Sequence, residues 1–127
     1  LVLCLSNFPD QVSAAAAARA LVAEGLAACV NILPGVQSIY GWQGKIEESA
    51  EVTCLIKTTR ARQPALFARL AALHPYEVPE LVAIPTLAVN PAYLAWAAAL
   101  CRAEAAEAAE AAETSCPTAP DEEASAH

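Results

Sequence analysis

Two long strand-like segments joined by a glycine-flanked turn constrain the fold of this chain more than any other feature. Residues 28–42 and 45–59 are both predicted to be strands, with an irregularity at Pro34-Gly35, and Gly41 and Gly44 flank the turn between them. Strands of roughly 13 residues, at about 3.3 Å per residue, reach ~43 Å. A domain of about 100 residues has a radius of gyration of only ~13 Å, so the hairpin is predicted to extend beyond its own domain.

The remaining elements alternate in the order expected for a ferredoxin-like sheet. Ser6, Asn7, Pro9 and Asp10 are predicted to form the turn and cap between the first strand and an alanine-rich helix. The order βαββαβ predicts an α+β, ferredoxin-like sandwich with a long overhanging hairpin between its second and third strands, followed by a C-terminal helix. The predicted elements outside the hairpin are residues 1–5, 10–24, 64–73, 81–89 and 91–100.

The charge is distributed unevenly and divides the chain in two. Residues 1–102 contain seven acidic and seven basic side chains, which cancel, whereas residues 103–127 contain seven acidic side chains and no Lys or Arg. We therefore predict one domain over 1–102 and an acidic Ala/Glu-rich tail over 103–127, either a frayed helix or disordered. Because the domain has no excess of basic residues, nucleic-acid binding is not expected.

The hydropathy and the cysteine content of the chain indicate the cellular compartment in which the protein is expected. No segment offers ~20 consecutive apolar residues, so no membrane span is expected. Residues 1–5 are too short for the apolar core of a signal peptide, and no basic region precedes them. Five cysteines without a CxxC pair indicate reduced thiols rather than a disulfide framework or a structural zinc site. The expected location is the cytoplasm.

A proline-bracketed segment, residues 74–81 (HPYEVPEL), places polar groups on a stiff, extended spacer. His74, Tyr76, Glu77 and Glu80 are the polar side chains that it presents. One interpretation is a loop kept rigid for binding protons or metal ions. The other is an ordinary helix end followed by the start of a strand.

Together with this segment, four others resemble the divalent-cation tolerance protein CutA family. They are AACVNILPGV at 27–36, YGWQGK at 40–45, LIKTT at 55–59 and NPAYLAW at 90–96. The resemblance covers about residues 1–101 and is specific, because the motifs agree in order and spacing. It implies a homotrimer in which the overhanging hairpins pair across subunits, which would also bury unpaired strand edges and exposed aromatic rings.

The resemblance also implies a copper site at Cys4 and His74, with a second histidine directly before His74. Leu73 occupies that position here, so two of three ligands are present. A thiolate and an imidazole are suited to copper and also to zinc. The alternatives are a buried, purely structural Cys4 and a His74 that bonds the last carbonyls of its helix. The function implied is a cytosolic trimer that binds divalent cations, copper foremost, and takes part in metal tolerance and the response to metal ions.

A second set of residues approaches across subunits in the family pattern. A lysine near a glutamate and a phenol can bind a small anion or act in acid–base chemistry, and the alternative is an ion pair and aromatic filler at the interface. The alternative function is therefore a trimer that senses small molecules in intersubunit clefts. No catalytic pattern can be assembled, so the chain is not expected to be an enzyme, and an enzyme of unassigned activity that uses this cleft is the third alternative. The predicted cleft residues are Asn31, Trp42, Lys57, Tyr76 and Glu77.

Overall fold

The computed structural model describes residues 1–102, which form one four-stranded antiparallel sheet and three helices. The predicted tail, 103–127, lies outside the described residues. None of the helices within 1–102 has the length and apolar character needed to cross a membrane. The elements are β1 (Val2–Phe8), α1 (Gln11–Ala23), β2 (Cys29–Trp42), β3 (Lys45–Thr58), α2 (Gln63–Leu73), β4 (Val82–Pro85) and α3 (Pro91–Leu100).

The strand order β2-β3-β1-β4 confirms the predicted α+β, ferredoxin-like arrangement. β1, and β3 from Val52 to Thr58, alternate strictly between buried and half-buried residues, because successive side chains of a strand point to opposite faces. We call the face covered by α1 and α2 the helix face, and the opposite one the open face. The main core lies on the helix face, where the alanines of α1 and the leucines of α2 pack against β1 and β3.

The open face is apolar but only partly covered. α3 packs at the end of the sheet where β1 begins, forming a small separate cluster with Ala28 and Leu1. The remaining open-face residues are half-buried or exposed, and Leu33, Val82 and Ile84 each show about 40% of their surface. Together with Leu3, Leu5 and Leu55, which are half-buried, they form an apolar patch on one side of a small domain.

The hairpin of β2 and β3 extends beyond the other strands. β1 pairs with β3 only from Val52 to Thr58, so residues 45–51 of β3 pair solely with residues 36–42 of β2. At about 3.3 Å per residue the unaccompanied part is roughly 23 Å long. A β-bulge between Leu33 and Val36 confirms the irregularity predicted at Pro34-Gly35, where proline lacks a donor for the ladder and Gly35 has a φ of 75°.

Two strand boundaries differ from the prediction. Ser6 and Asn7, expected in a turn, continue β1 as far as Phe8, because they pair with Cys54 and Thr53 of β3. The turn is therefore confined to Pro9 and Asp10, and the Asp10 side chain accepts from the Ser13 amide at 2.7 Å to cap α1.

The fourth strand is also shorter than expected. It ends at Pro85, opposite Val2, where the partner strand begins and no further ladder is available. Thr86 then fixes the chain by donating its hydroxyl to the Leu1 carbonyl at 2.7 Å, and Leu87 is fully exposed. Residues 86–89, predicted as strand, are irregular.

Candidate functional site

His74 lies at the end of α2 and fastens the proline-bracketed loop to β1. Nδ1 is 3.1 Å from the Tyr76 amide nitrogen, and Nε2 is 2.8 Å from the Asn7 carbonyl oxygen. The Tyr76 N–H can only donate, so Nδ1 accepts, and the neutral ring carries its proton on Nε2. The imidazole also stacks on Phe8, with ring centroids 4.2 Å apart. Both ring nitrogens are therefore already engaged within the chain.

Burial decides the charge of this imidazole. It lowers the pKa of His74 below its usual range, and this outweighs the opposing effects of the Asn7 carbonyl and the Glu51 carboxylate. His74 is therefore neutral at pH 7, which is the form that binds metals.

Cys4 lies on the helix face of β1 and is almost completely buried. Burial raises the pKa of its thiol to about 11, so the sulfur is protonated at neutral pH. Asn7, where His74 is anchored, lies three positions along β1 from Cys4, or roughly 10 Å. Leu73, at the third position of the family pattern, packs against the core. Within residues 1–102, the His, Cys, Asp and Glu side chains form no group of three or more that could hold a metal ion.

A polar network that the sequence did not indicate surrounds the loop on the open face. Tyr76 donates its hydroxyl to Glu51 at 2.7 Å. Asn7 accepts from the Thr53 hydroxyl at 2.6 Å and donates to Glu80 at 2.8 Å. Burial foremost, and then Glu51, raise the pKa of Tyr76 far above its usual range, so the phenol remains a donor. This network ties the loop to the hairpin and to β1.

The five predicted cleft residues do not meet within one chain. Tyr76 contacts β3 at Glu51, six residues or roughly 20 Å from Lys57. Trp42 lies at the hairpin tip, farther away still, and is 59% exposed. Asn31 and Glu77 are exposed. Within residues 1–102 of one chain, the five side chains therefore form no common cleft.

Lys57 has a local partner instead. Its ammonium lies 5.9 Å from the centroid of the Tyr93 ring in α3. At this distance the cation is attracted by the face of the ring. The Tyr93 ring in turn contacts Trp96, with centroids 5.3 Å apart. Lys57 is therefore associated with α3 and not with Glu77.

Comparisons with known proteins agree with this fold. A family model described as CutA1 divalent ion tolerance protein matches residues 2–99. The divalent-cation tolerance protein CutA of Thermus thermophilus is 51% identical over 92 residues, which are 72% of this chain and 89% of that protein.

Solved structures give the same result. The crystal structure of CutA from Xylella fastidiosa is 48% identical, with a TM-score of 0.74, over 76% of this chain and 92% of that one. A CutA structure from Archaeoglobus fulgidus, described as periplasmic, is 31% identical, with a TM-score of 0.73, over 76% of this chain and 93% of that one. The likeness to each solved structure therefore covers about three quarters of this chain.

Proposed function

Because this chain belongs to the CutA1 family of divalent ion tolerance proteins, we propose that it acts in cellular tolerance of divalent cations as a cation-binding homotrimer. The observation that carries the proposal is the match of the family over residues 2–99, which include every strand, α1, α2 and all of α3 except Leu100. The relatives' names describe tolerance and not a catalysed reaction, so we propose a binding role without catalysis.

Two features of the single chain support the trimeric assembly. The part of the hairpin that extends beyond β1, residues 36–42 and 45–51, has unpaired edges on both sides over roughly 23 Å. Such edges are normally covered. The open face of the sheet carries an apolar patch centred near Leu55, of the kind that interfaces bury. Sister copies would cover both at once, and the family resemblance supplies the number three.

Light scattering at micromolar protomer concentration tests the assembly. We expect the mass of a trimer for the parent chain. Leu55→Glu, on the open face, is expected to yield smaller species, whereas Val12→Glu, on an exposed position of α1, serves as the matched control and is expected to remain trimeric. A monomer mass for the parent would contradict the proposal.

The proposal also specifies a metal site, in which Cys4 and His74 bind copper. Its support is the family resemblance and the soft donor types, with zinc as the other candidate cation. Binding requires the Cys4 thiol to lose its proton and His74 to release the Tyr76 amide or the Asn7 carbonyl. We therefore propose that loading is accompanied by opening of the loop at 74–81 and that affinity is modest.

Calorimetric titration of Cu⁺, Cu²⁺ and Zn²⁺ into the reduced trimer tests the site. Cys4→Ser and His74→Ala are each expected to weaken copper binding. Leu73→His is expected to strengthen it if position 73, which packs against the core, faces the metal once the loop opens. Affinity should increase with pH, because the cation competes with the thiol proton. If both single variants bind copper like the parent, the metal lies elsewhere.

A cytoplasmic location completes the proposal. Its support is the set of unpaired thiols: Cys4, Cys29, Cys54 and Cys101 are all free. Fractionation of cells that produce the full-length protein tests it, and recovery with periplasmic markers, as the description of the Archaeoglobus relative would suggest, would overturn it.

A further inference from the structure

The proline-bracketed loop, residues 74–81, has little apolar packing between its ends. Leu73, just before the loop, and Leu81, its last residue, pack against the main core. Between them Pro75, Glu77 and Val78 are exposed, and Val78 shows 86% of its surface. A segment with so few buried apolar contacts opens at a lower free-energy cost than the sheet does. The hydrogen bonds of its polar side chains therefore determine how often the loop opens.

Tyr76 covers His74 in two ways. Its amide donates to Nδ1 at 3.1 Å, and its ring is tilted against the imidazole, with centroids 5.0 Å apart. With Phe8 stacked on the same imidazole, His74 is only 8% exposed. Phe8 belongs to β1 and remains in place when the loop moves, whereas Tyr76 moves with the loop. Displacement of Tyr76 therefore exposes the imidazole and frees the lone pair of Nδ1 together, while Nε2 keeps its bond to the Asn7 carbonyl.

The far end of the Tyr76 side chain is held by the hairpin. The phenol donates to Glu51 at 2.7 Å. Glu51 pairs with Val36, the first paired residue of β2 after the bulge, and lies in the part of β3 that β1 does not accompany. A hydrogen bond to a carboxylate is stronger than one between two neutral groups. This contact therefore ties the middle of the loop to the base of the hairpin.

We propose that the hydrogen bond between Tyr76 and Glu51 is a latch that controls access to the Nδ1 lone pair of His74. While the latch is closed, the ring and the amide of Tyr76 shield the imidazole. When the phenol leaves Glu51, the stiff segment that the prolines bracket moves away and presents a neutral imidazole whose proton is on Nε2. Use of the freed nitrogen for a cation rests on the proposed function, but the latch itself is a property of the loop and is measured without metal.

Modification by diethyl pyrocarbonate at neutral pH tests the latch on the metal-free, full-length, assembled protein. The reagent acylates unprotonated imidazole nitrogens, and peptide mass spectrometry measures each histidine separately. We expect slow modification of His74 in the parent. Tyr76→Phe and Glu51→Ala are each expected to increase its rate about tenfold, because each removes the same hydrogen bond to a charged group. The double variant should react no faster than either single variant, since both side chains act through one contact.

Three controls accompany these variants. Glu51→Gln keeps an oxygen that can accept from the phenol and should remain within about threefold of the parent, because a neutral acceptor forms a weaker bond. Tyr40→Phe is the matched control for loss of a phenol hydroxyl, since Tyr40 bonds Ser49 at 2.9 Å, and it should leave the rate unchanged. His127, the other histidine of the chain, is the internal reference and should react equally in all variants.

The outcomes separate the latch from its alternatives. Equal His74 rates in the parent, Tyr76→Phe and Glu51→Ala would overturn the proposal, because the loop would then open independently of this bond. Lack of His74 modification in every variant would also overturn it, including the case in which a sister copy holds the loop closed. A confirmed latch in a protein that binds no copper in the titration would contradict the proposed metal site alone, so the two proposals fail separately.

Discussion

Ser6 and Thr58 carry hydroxyl groups that are completely buried on the helix face of the sheet, yet only one of them is satisfied. Thr58 donates to the Leu26 carbonyl at 2.7 Å and so joins the end of β3 to the segment after α1. The Ser6 hydroxyl has no hydrogen-bond partner within residues 1–102. A buried polar group without a partner costs about 1–3 kcal/mol, whereas a satisfied one contributes about 1 kcal/mol.

The first prediction follows from this contrast. Ser6→Ala should increase the free energy of unfolding by about 1 kcal/mol, because it removes a desolvated hydroxyl and little volume. Thr58→Val is the matched variant and should decrease it by about 1–2 kcal/mol, since the Leu26 carbonyl then loses its donor. Urea unfolding at equal protomer concentration measures both. A loss of stability in Ser6→Ala would show that the hydroxyl has a partner in the assembled protein.

Among the elements, the hairpin depends on its two-residue turn. Gln43 and Gly44 both have positive φ values, 51° and 78°, which is the type I′ geometry that matches the twist of the flanking strands. Gly41 lies one residue before the end of β2 and does not have a positive φ. Although Gly41 is close to the turn in sequence, its backbone conformation therefore does not require glycine.

The second prediction compares these two glycines. Gly44→Ala should destabilise the protein by about 1 kcal/mol per protomer, because alanine is strained at this φ. Gly41→Ala should be neutral or slightly stabilising, since an added Cβ meets only the Lys45 carbonyl oxygen at 4.0 Å. Unfolding midpoints at matched concentration provide the comparison. Equal losses in both variants would contradict the turn assignment.

Local sequence signals predicted the element order and the bulge, because glycine, proline and cap residues act within a few positions. They failed where a boundary is set by a distant partner. Asparagine is common in turns, but Asn7 belongs to β1 because it pairs with Thr53 of β3. Residues 87–89 are apolar, but they are not strand because β1 has no residues left to pair with them. The contacts of Tyr76 and Asn7 depend on the same register and were therefore missed.

For the whole molecule, the separation of charge along the chain leads to the last prediction. Residues 1–102 are formally neutral, and the net charge of −7 resides in residues 103–127. The core, the hairpin and the apolar open face all lie within the neutral part, so fold and assembly should not require the acidic segment.

Truncation after Arg102 should therefore leave the number of subunits and the melting temperature, within about 3 °C, unchanged at low salt, since it removes no part of the described core. The isoelectric point should rise from about 4.7 towards neutrality, and solubility near neutral pH should fall, because the net charge by which protein molecules repel each other is lost. Differential scanning calorimetry and light scattering of the truncated and full-length chains measure these effects. A control chain of full length, with the seven tail carboxylates changed to amides, separates loss of charge from loss of chain. If truncation lowers the melting temperature but the amide chain does not, the tail stabilises the body through contacts that do not depend on its charge.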